Sequence, residues 1–364
     1  MYNLLIKIQL IIVIGNNMSF NKKNVRYFNS ISIVDDGKNI IKKYIGFDEY
    51  YKDKFLDEII WMIKAQIKFS KNIPKIIDYS LNKEELWVKM NYIKDKTVHD
   101  HFINEDEIDW NLVFKYYLEL IEEFKKNKLE LFLVEEWKIK MIDFYLERTI
   151  NNIKKIQIKN ELKMFFENDF ILINNKKYPS LKMIINFLNK KVQLAKQNKL
   201  EKEDIFYKLL TPTKNRIVFS HLDLIFGNVF LDNENEVLKI IDPRGSFADS
   251  KEYGDIYYDY AKIYQCIYGL YDFIIEDRFN LNNKNNEIIF DIEKPNNIKE
   301  IEQSFLKILL NEIKEDIDVI KLLEAIQFFA MTPAHNDNTN RQIVQICVGI
   351  CHFVDVIGEI KWKS

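Results

Sequence analysis

Glycine and proline are scarce in this chain: 364 residues hold nine of the first and six of the second. Long flexible or polyproline linkers are therefore excluded, and domain boundaries must be sought in changes of pattern. Cysteine is scarcer still, with only Cys266, Cys347 and Cys351. Three thiols make no disulfide framework and fit a reducing compartment, so a cytoplasmic protein is expected. Cys347 and Cys351 share a helical face, but no second pair completes a zinc site, and both are expected as core thiols. No sign of charge dominates: 53 basic residues face 55 acidic ones, a net charge of −2. That excludes the basic excess of a general nucleic-acid binder. No repeat of solenoid length occurs. No apolar run is long enough for a stable membrane span. The nearest, residues 4–14, is broken by Lys7 and Gln9. It could pass for a weak signal h-region, although no clear small-residue cleavage site follows. Met18 opens a more ordinary polar start, so residues 1–17 are expected to be a dispensable apolar extension rather than an anchor. Nothing in the pattern fixes an oligomeric state.

What is present suits a globular protein with a sizeable core: 47% apolar and 30% charged residues. Residues 25–44 read as strands. Ile31, Ile33, Ile40 and Ile41 flank Asp35-Asp36-Gly37-Lys38, a hairpin signal. A helix is expected over 49–70, where Phe55, Ile59, Ile63 and Ile67 recur every fourth residue, and Pro74 marks its exit. Short strands follow at 75–79 and 85–90. After Tyr92 the pattern turns helical, at 110–126, 134–154, 160–168 and 178–200, with Lys, Asn and Glu as solvated faces. A buried strand is expected at 216–219 and a second hairpin at 229–231 and 237–241. The remainder is helical apart from an irregular stretch at 282–297. The order predicts an α+β fold of two lobes: a small antiparallel β lobe with one helix at 18–92, and a large, mainly α lobe at 93–364 interrupted by a short β insertion.

One constellation carries chemistry. Ser220-His221-Leu222-Asp223-Leu224-Ile225-Phe226-Gly227-Asn228 is followed by Ile240-Ile241-Asp242-Pro243-Arg244-Gly245. Phosphoryl transfer from ATP needs an acceptor hydroxyl held in line with the γ-phosphorus, a carboxylate facing that hydroxyl, and oxygen ligands for Mg²⁺. Asp223 and Asn228 have the spacing of a kinase catalytic-loop Asp and its metal-binding Asn. Asp242 ends the far arm of the hairpin that Asn228 begins, so the fold should bring the two together. Oxygen ligands of this kind suit Mg²⁺.

HLDLIFGN followed by IIDPRG resembles the motifs of the aminoglycoside phosphotransferase and choline kinase family, which has a protein-kinase-like fold. Gly254-Asp255-Ile256-Tyr257-Tyr258-Asp259-Tyr260-Ala261 also resembles that family's G-D-x-x-x-D-x-A helix start. The IDPRG form is similar to phosphotransferases found at bacterial surface-polysaccharide loci. The resemblance covers roughly residues 25–350, with sharp motifs only in the C-terminal part. It implies that Asp223 takes or orients the hydroxyl proton, that Asn228 and Asp242 hold Mg²⁺, and that His221 braces the loop. Asp255 and Asp259 would support the site, although Asp255 alternatively caps the next helix.

The small lobe should grip the nucleotide through a lysine paired with a helix glutamate. Lys42 and Lys43 point to opposite faces, so one of them serves; the family order V/I-I-K favours Lys42. Glu58, in line with Met62, Ala65 and Phe69, is the partner. The backbone from Met90 to Tyr92 is expected to meet adenine, and an ordinary edge strand and turn is the alternative. The sequence departs from the protein kinases: no G-x-G-x-x-G precedes NIIKK, so the loop near residues 28–32 must cover the phosphates otherwise, and Leu222 stands where Arg or Gly is usual. Pro243 and Arg244 replace the commoner residues after Asp242. His335 sits between two helices, near the cleft or in a capping loop, and His99 and His101 have no metal-like neighbours. The sequence therefore points to an ATP- and Mg²⁺-dependent small-molecule kinase acting on a hydroxyl of a sugar or amino alcohol. A protein kinase and a non-catalytic nucleotide-binding scaffold are the alternatives. Cationic aminoglycosides would need a concentrated acidic cleft; Asp249, Glu252, Asp255 and Asp259 are the acids available.

Overall fold

The computed structural model describes residues 29–284 and 287–358. The expectations for residues 1–17, and the part of the first strand region before Asn29, lie outside the described residues. Strands β1 (Asn29–Val34) and β2 (Asn39–Tyr44) form the expected hairpin. Asp35, Asp36 and Gly37 turn it, all three at left-handed φ. Helix α1 (Glu49–Lys68) starts on Asp48, whose side chain accepts from the Tyr50 N–H at 2.8 Å. Strands β3 (Ile76–Ser80) and β4 (Trp87–Asn91) complete an antiparallel sheet ordered β1-β2-β4-β3. The buried stripe of α1 is Phe55, Glu58, Ile59, Trp61, Met62 and Ala65. Ile67 is exposed. A strict four-residue repeat drifts by about 40° per step on a helix of 3.6 residues per turn, so the fourth member leaves the face.

The larger part opens with α2 (Val98–Ile103), α3 (Trp110–Lys126) and α4 (Val134–Met141). The helix expected over 134–154 is interrupted: α4 passes into a π-helical turn, Ile142–Glu147, before α5 (Arg148–Ile156). The helix expected at 160–168 shrinks to a 3₁₀ turn and α6 (Met164–Glu167). Strands β5 (Phe170–Ile173) and β6 (Lys176–Pro179) come next, then α7 (Leu181–Lys196) and α8 (Ile205–Leu210). Strand β7 (Ile217–Phe219) is buried, as expected, and β8 (Val229–Asp232) pairs β9 (Val237–Ile240) in the second hairpin. Two-residue strands β10 (Ser246–Phe247) and β11 (Ser250–Lys251) precede β12 (Tyr253–Asp255), which pairs antiparallel with β7.

Helices α9 (Ile256–Ile267) and α10 (Tyr271–Ile275), strands β13 (Phe279–Lys284) and β14 (Glu287–Ile292), and helices α11 (Ile298–Ile308), α12 (Ile317–Met331) and α13 (Thr339–Ile357) complete the chain. The stretch expected as irregular at 282–297 is irregular only at 293–297 among the described residues. It holds β14, which pairs parallel with β5 in a four-stranded sheet ordered β13-β14-β5-β6. Cys266 and Cys347 are buried and Cys351 is half-buried, all as free thiols. Among the described residues no helix is long and apolar enough to cross a membrane. The architecture is α+β: a small antiparallel sheet with one helix, and a larger, mainly helical part.

Candidate active site

The loop Ser220–Asn228 leaves the sheet at β7 and is fixed from three directions. The Trp61 indole of α1 donates to the Ser220 carbonyl at 2.9 Å. The buried Asp259 of α9 accepts from the His221 N–H at 3.1 Å. The Arg244 N–H donates to the His221 carbonyl at 2.9 Å. Leu222 takes a left-handed φ of 63°. Its side chain packs where Gly254 leaves room, since a Cβ there would lie 2.8 Å from Leu222 Cδ2. Gly245 is required as well: its φ is +78°, and an added Cβ would meet the Asp57 backbone of α1 at 2.6 Å. The small-lobe helix and the loop after Asp242 are therefore in close backbone contact.

His221 is fully buried, and its Nε2 lies 2.9 Å from the Ile241 carbonyl. Burial pushes its pKa down to about 4. The ring is then neutral at neutral pH, with Nε2–H donating to that carbonyl. It ties the loop to the end of β9. Asp223 and Asp242 keep side-chain exposures of 22% and 25%, while His221 and Asp259 around them are sealed at 0%. The two carboxylates are thus the members of the group that a ligand can reach. The Asn228 amide donates to the Asp223 carbonyl at 2.8 Å, and the Ile241 N–H donates to the Asn228 carbonyl at 3.0 Å. This clamp sets Asn228 and Asp242 at the two lips of the hairpin. Among the described residues no three His, Cys, Asp or Glu side chains gather as a metal cluster. An Asn and an Asp at one hairpin mouth form a hard-oxygen pair that suits Mg²⁺ completed by water and phosphate oxygens.

Lys42 and Lys43 separate as the two-residue period of a strand demands. Lys43 lies on the exposed face and pairs with Glu85 at 2.8 Å. Lys42 points inward, 5% exposed, with Nζ 2.6 Å from Glu58 and 2.7 Å from Asp242. Burial opposes its charge, but Asp242 and Glu58 outweigh that cost and hold its pKa above the ordinary value. The backbone from Met90 to Tyr92, where an adenine contact is expected, is partly engaged within the sheet. Met90 is buried in the core, and β4 is an interior strand, not an edge. The Asn91 and Tyr92 N–H groups donate to the Lys75 and Lys38 carbonyls, each at 2.9 Å. Nucleobase-facing N–H donors on this side would have to come from beyond Tyr92. Of the segment 28–32 expected to cover the phosphates, Phe28 lies outside the described residues, and the part from Asn29 onward belongs to strand β1.

Three cations were not assigned to the site from sequence. Lys262 of α9 reaches Asp223 Oδ1 at 3.3 Å. It follows Asp259 by three residues, about one helical turn, and stands just past the G-D-x-x-x-D-x-A segment, so helical spacing from Asp259 was the signal for it. Arg148 and Arg244 both lie against the Phe144 ring, at 4.0 and 4.8 Å from its centroid. Arg148 sits in a stretch read as a solvated helix face, and the π turn that presents it leaves little trace in hydrophobic periodicity.

The acids beside the site are spent on protein partners. Asp255 accepts from Arg216 Nε at 3.1 Å and Tyr145 Oη at 2.9 Å, and caps α9 through the Tyr257 N–H. Asp249 pairs with Lys140 and Glu252 with Lys64. His99 and His101 pair with Asp272 at 2.6 Å and Asp106 at 2.8 Å. His335 lies in a 3₁₀ turn, 3.4 Å from Tyr271 Oη; the cap of α13 is Asn338.

No family model and no curated protein matches the chain. Solved structures do. The GDP and kanamycin complex of APH(2")-IIia is 13% identical, covers 91% of each chain and superposes with a TM-score of 0.50. The chain shares the two-lobed, kinase-like fold of that phosphotransferase. Two weaker likenesses are the AMP-bound complex of Spectinomycin Phosphotransferase, APH(9)-Ia, and the ADP and streptomycin complex of aminoglycoside phosphotransferase APH(3'')-Id from Streptomyces rimosus ATCC10970. The first is 13% identical over 88% of this chain and 84% of that one, with a TM-score of 0.43. The second is 12% identical over 78% and 87%, with a TM-score of 0.39.

Proposed function

We propose that the protein is a small-molecule kinase that moves the γ-phosphoryl group of ATP to an acceptor hydroxyl. The observation that carries the reading is the Lys42–Asp242 contact of 2.7 Å between residues 200 positions apart. It joins the strand that would grip the α- and β-phosphates to the hairpin that would hold the metal, as phosphoryl transfer requires. The kinase-like fold supports the same reading.

In this mechanism Asp223 accepts the proton of the acceptor hydroxyl as its oxygen attacks the γ-phosphorus. A P–O bond forms to the acceptor, and the bond from the γ-phosphorus to the β,γ-bridging oxygen breaks. ADP leaves with the bonding electrons, and the proton passes from Asp223 to solvent. Lys42, fixed by Glu58, steadies the phosphates of the leaving ADP. Neutral His221 keeps the loop in place without adding charge. Asn228 and Asp242 would hold Mg²⁺, which supplies positive charge to the phosphate oxygens. ATP as donor and the scarcity of cysteine support a cytoplasmic enzyme. The IDPRG resemblance supports an acceptor from surface-polysaccharide metabolism, a sugar or an amino alcohol.

The test is ADP release from Mg-ATP against sugars, amino alcohols and aminoglycosides. Asp223→Asn should lower transfer by about 10²–10⁴-fold while ATP still binds. Full ATP-dependent transfer by Asp223→Asn would sink the mechanism.

A further inference from the structure

The acceptor side of the site holds more positive charge than its neighbours answer. Lys262 is 6% exposed and directed at Asp223. Arg148 donates through Nε to the Phe144 carbonyl at 3.0 Å, and its guanidinium stacks on the Phe144 ring. Arg244 rests on the same ring, and among the described residues its buried Nε has no hydrogen-bond partner. Among the described residues no carboxylate pairs with either arginine. Asp249 and Glu147 hold Lys140 and Lys196, and Asp57 holds Lys251. Asp223 is engaged by Lys262. The local potential reads on Tyr258: burial alone would raise its phenol, yet Lys262, Arg148 and Arg244 outweigh burial and pull its pKa below the ordinary value. Burial and Arg148 together also lower the pKa of Arg244. Two guanidiniums beside a shared ring, one with an orphaned buried donor, form a costly arrangement unless an anion completes it. The π-helical turn that carries Phe144 and leads into Arg148 is a rare backbone form that recurs at functional sites.

We infer that Arg148 and Arg244 bind an anionic group, a carboxylate or a phosphate, on the acceptor molecule. This rests on the kinase reading above and narrows it. Lys42 and Lys262 lie where the phosphoryl group must pass, which leaves the two arginines for the acceptor. Guanidiniums offer paired donors matched to planar carboxylates and to phosphate oxygens. The same pair repels a polycationic acceptor, so the site is built against aminoglycosides as well as for an acid.

The experiment uses the full chain saturated with Mg-ATP and acceptors that differ in charge: glucose, glucuronate, glucose 6-phosphate and kanamycin. An acidic member should exceed glucose in kcat/KM by at least about tenfold. Whichever acid wins names the group as carboxylate or phosphate. Arg148→Gln and Arg244→Gln should each raise KM for the acid and erase most of that preference, and Arg148→Lys should restore part of it. A preference for glucose or kanamycin would overturn the inference. So would an effect of the arginine variants on KM for ATP in place of KM for the acceptor.

Calorimetry of glucuronate and inorganic phosphate against the ADP- and Mg²⁺-saturated protein separates this inference from the kinase reading. Arginine-dependent binding without transfer to any acceptor removes the kinase reading and supports the anion site. Binding indifferent to both arginines overturns the anion site even if transfer occurs.

Discussion

The two sides of the cleft handle charge in opposite ways. On the side proposed for the nucleotide, Lys42 lies between Glu58 and Asp242 at 2.6 and 2.7 Å, so each charge is answered within the protein. On the side proposed for the acceptor, Arg148 and Arg244 share one aromatic ring, and among the described residues neither pairs with a carboxylate, while Asp223 is engaged by Lys262. A buried ion pair is strongly destabilising when halved, because the remaining charge is stranded. Uncompensated charge already carries that cost in the folded state and is retained where a ligand will meet it. In the proposed function, the paired charge preorganises the grip on ATP, and the charge left without a carboxylate meets the acceptor.

Substitution on each side should therefore move stability in opposite directions. Lys42→Met removes the buried cation that Glu58 and Asp242 share and should lower unfolding stability by about 3–5 kcal/mol in urea titrations. A loss under about 1 kcal/mol would mean the triad is not compensated as described. Arg244→Met keeps apolar contact with Phe144 while removing the orphaned donor. It should stabilise the free protein by about 0.5–2 kcal/mol, at the cost of acceptor binding. Destabilisation by Arg244→Met would show that its charge is answered after all and would break the comparison.

Much of this was legible in sequence, for identifiable reasons. The two hairpins carry turn residues between β-branched runs, and the loop from His221 to Asn228 packs type, spacing and context into eight positions. Lys42 and Lys43 separate by strand period alone. What escaped is non-local. Strand β14 pairs with β5 more than a hundred residues earlier, so neither segment announces its partner. The Asn174-Asn175 turn between β5 and β6, both at left-handed φ, was a local signal outweighed by the helical patterns around it. The π turn shifts the register that periodicity assumes, so Arg148 read as surface. The Asn91 and Tyr92 N–H groups looked available because strand order decides that, and the placement of β4 between β2 and β3 cannot be read from one segment.

The same contrast extends to buried histidines and to pH. His99 is answered, by Asp272 at 2.6 Å and Glu276 at 3.6 Å, and its pKa is pushed up to about 10 against the cost of burial. Its contribution is fully present below about 6.5 and is lost as pH rises through about 10, because the folded state holds a proton that the unfolded chain gives up. His335 is the opposite case. Burial wins over Asp337 and lowers it to about 4, so the unfolded chain binds a proton that the folded state refuses, and stability falls from about pH 6.5 towards 4. In urea midpoints against pH, His99→Gln should flatten the alkaline arm and His335→Gln the acid arm. Arms unchanged by both substitutions would remove histidine from the account.

The smallest effect is the most discriminating control. Lys43 differs from Lys42 by one position and by a 180° change of face. Its pair with Glu85 has side-chain exposures of 43% and 60%, so water and salt screen it and both side chains lose rotamer freedom in forming it. Lys43→Met should change stability by no more than about 0.5 kcal/mol and leave the KM for ATP within about twofold. The Lys42 substitution should move both measurements. If Lys43→Met weakened ATP binding as strongly as Lys42→Met, burial and pairing would not be what separates the two lysines. The nucleotide grip would then belong to the positive charge of the strand as a whole rather than to the Lys42 triad.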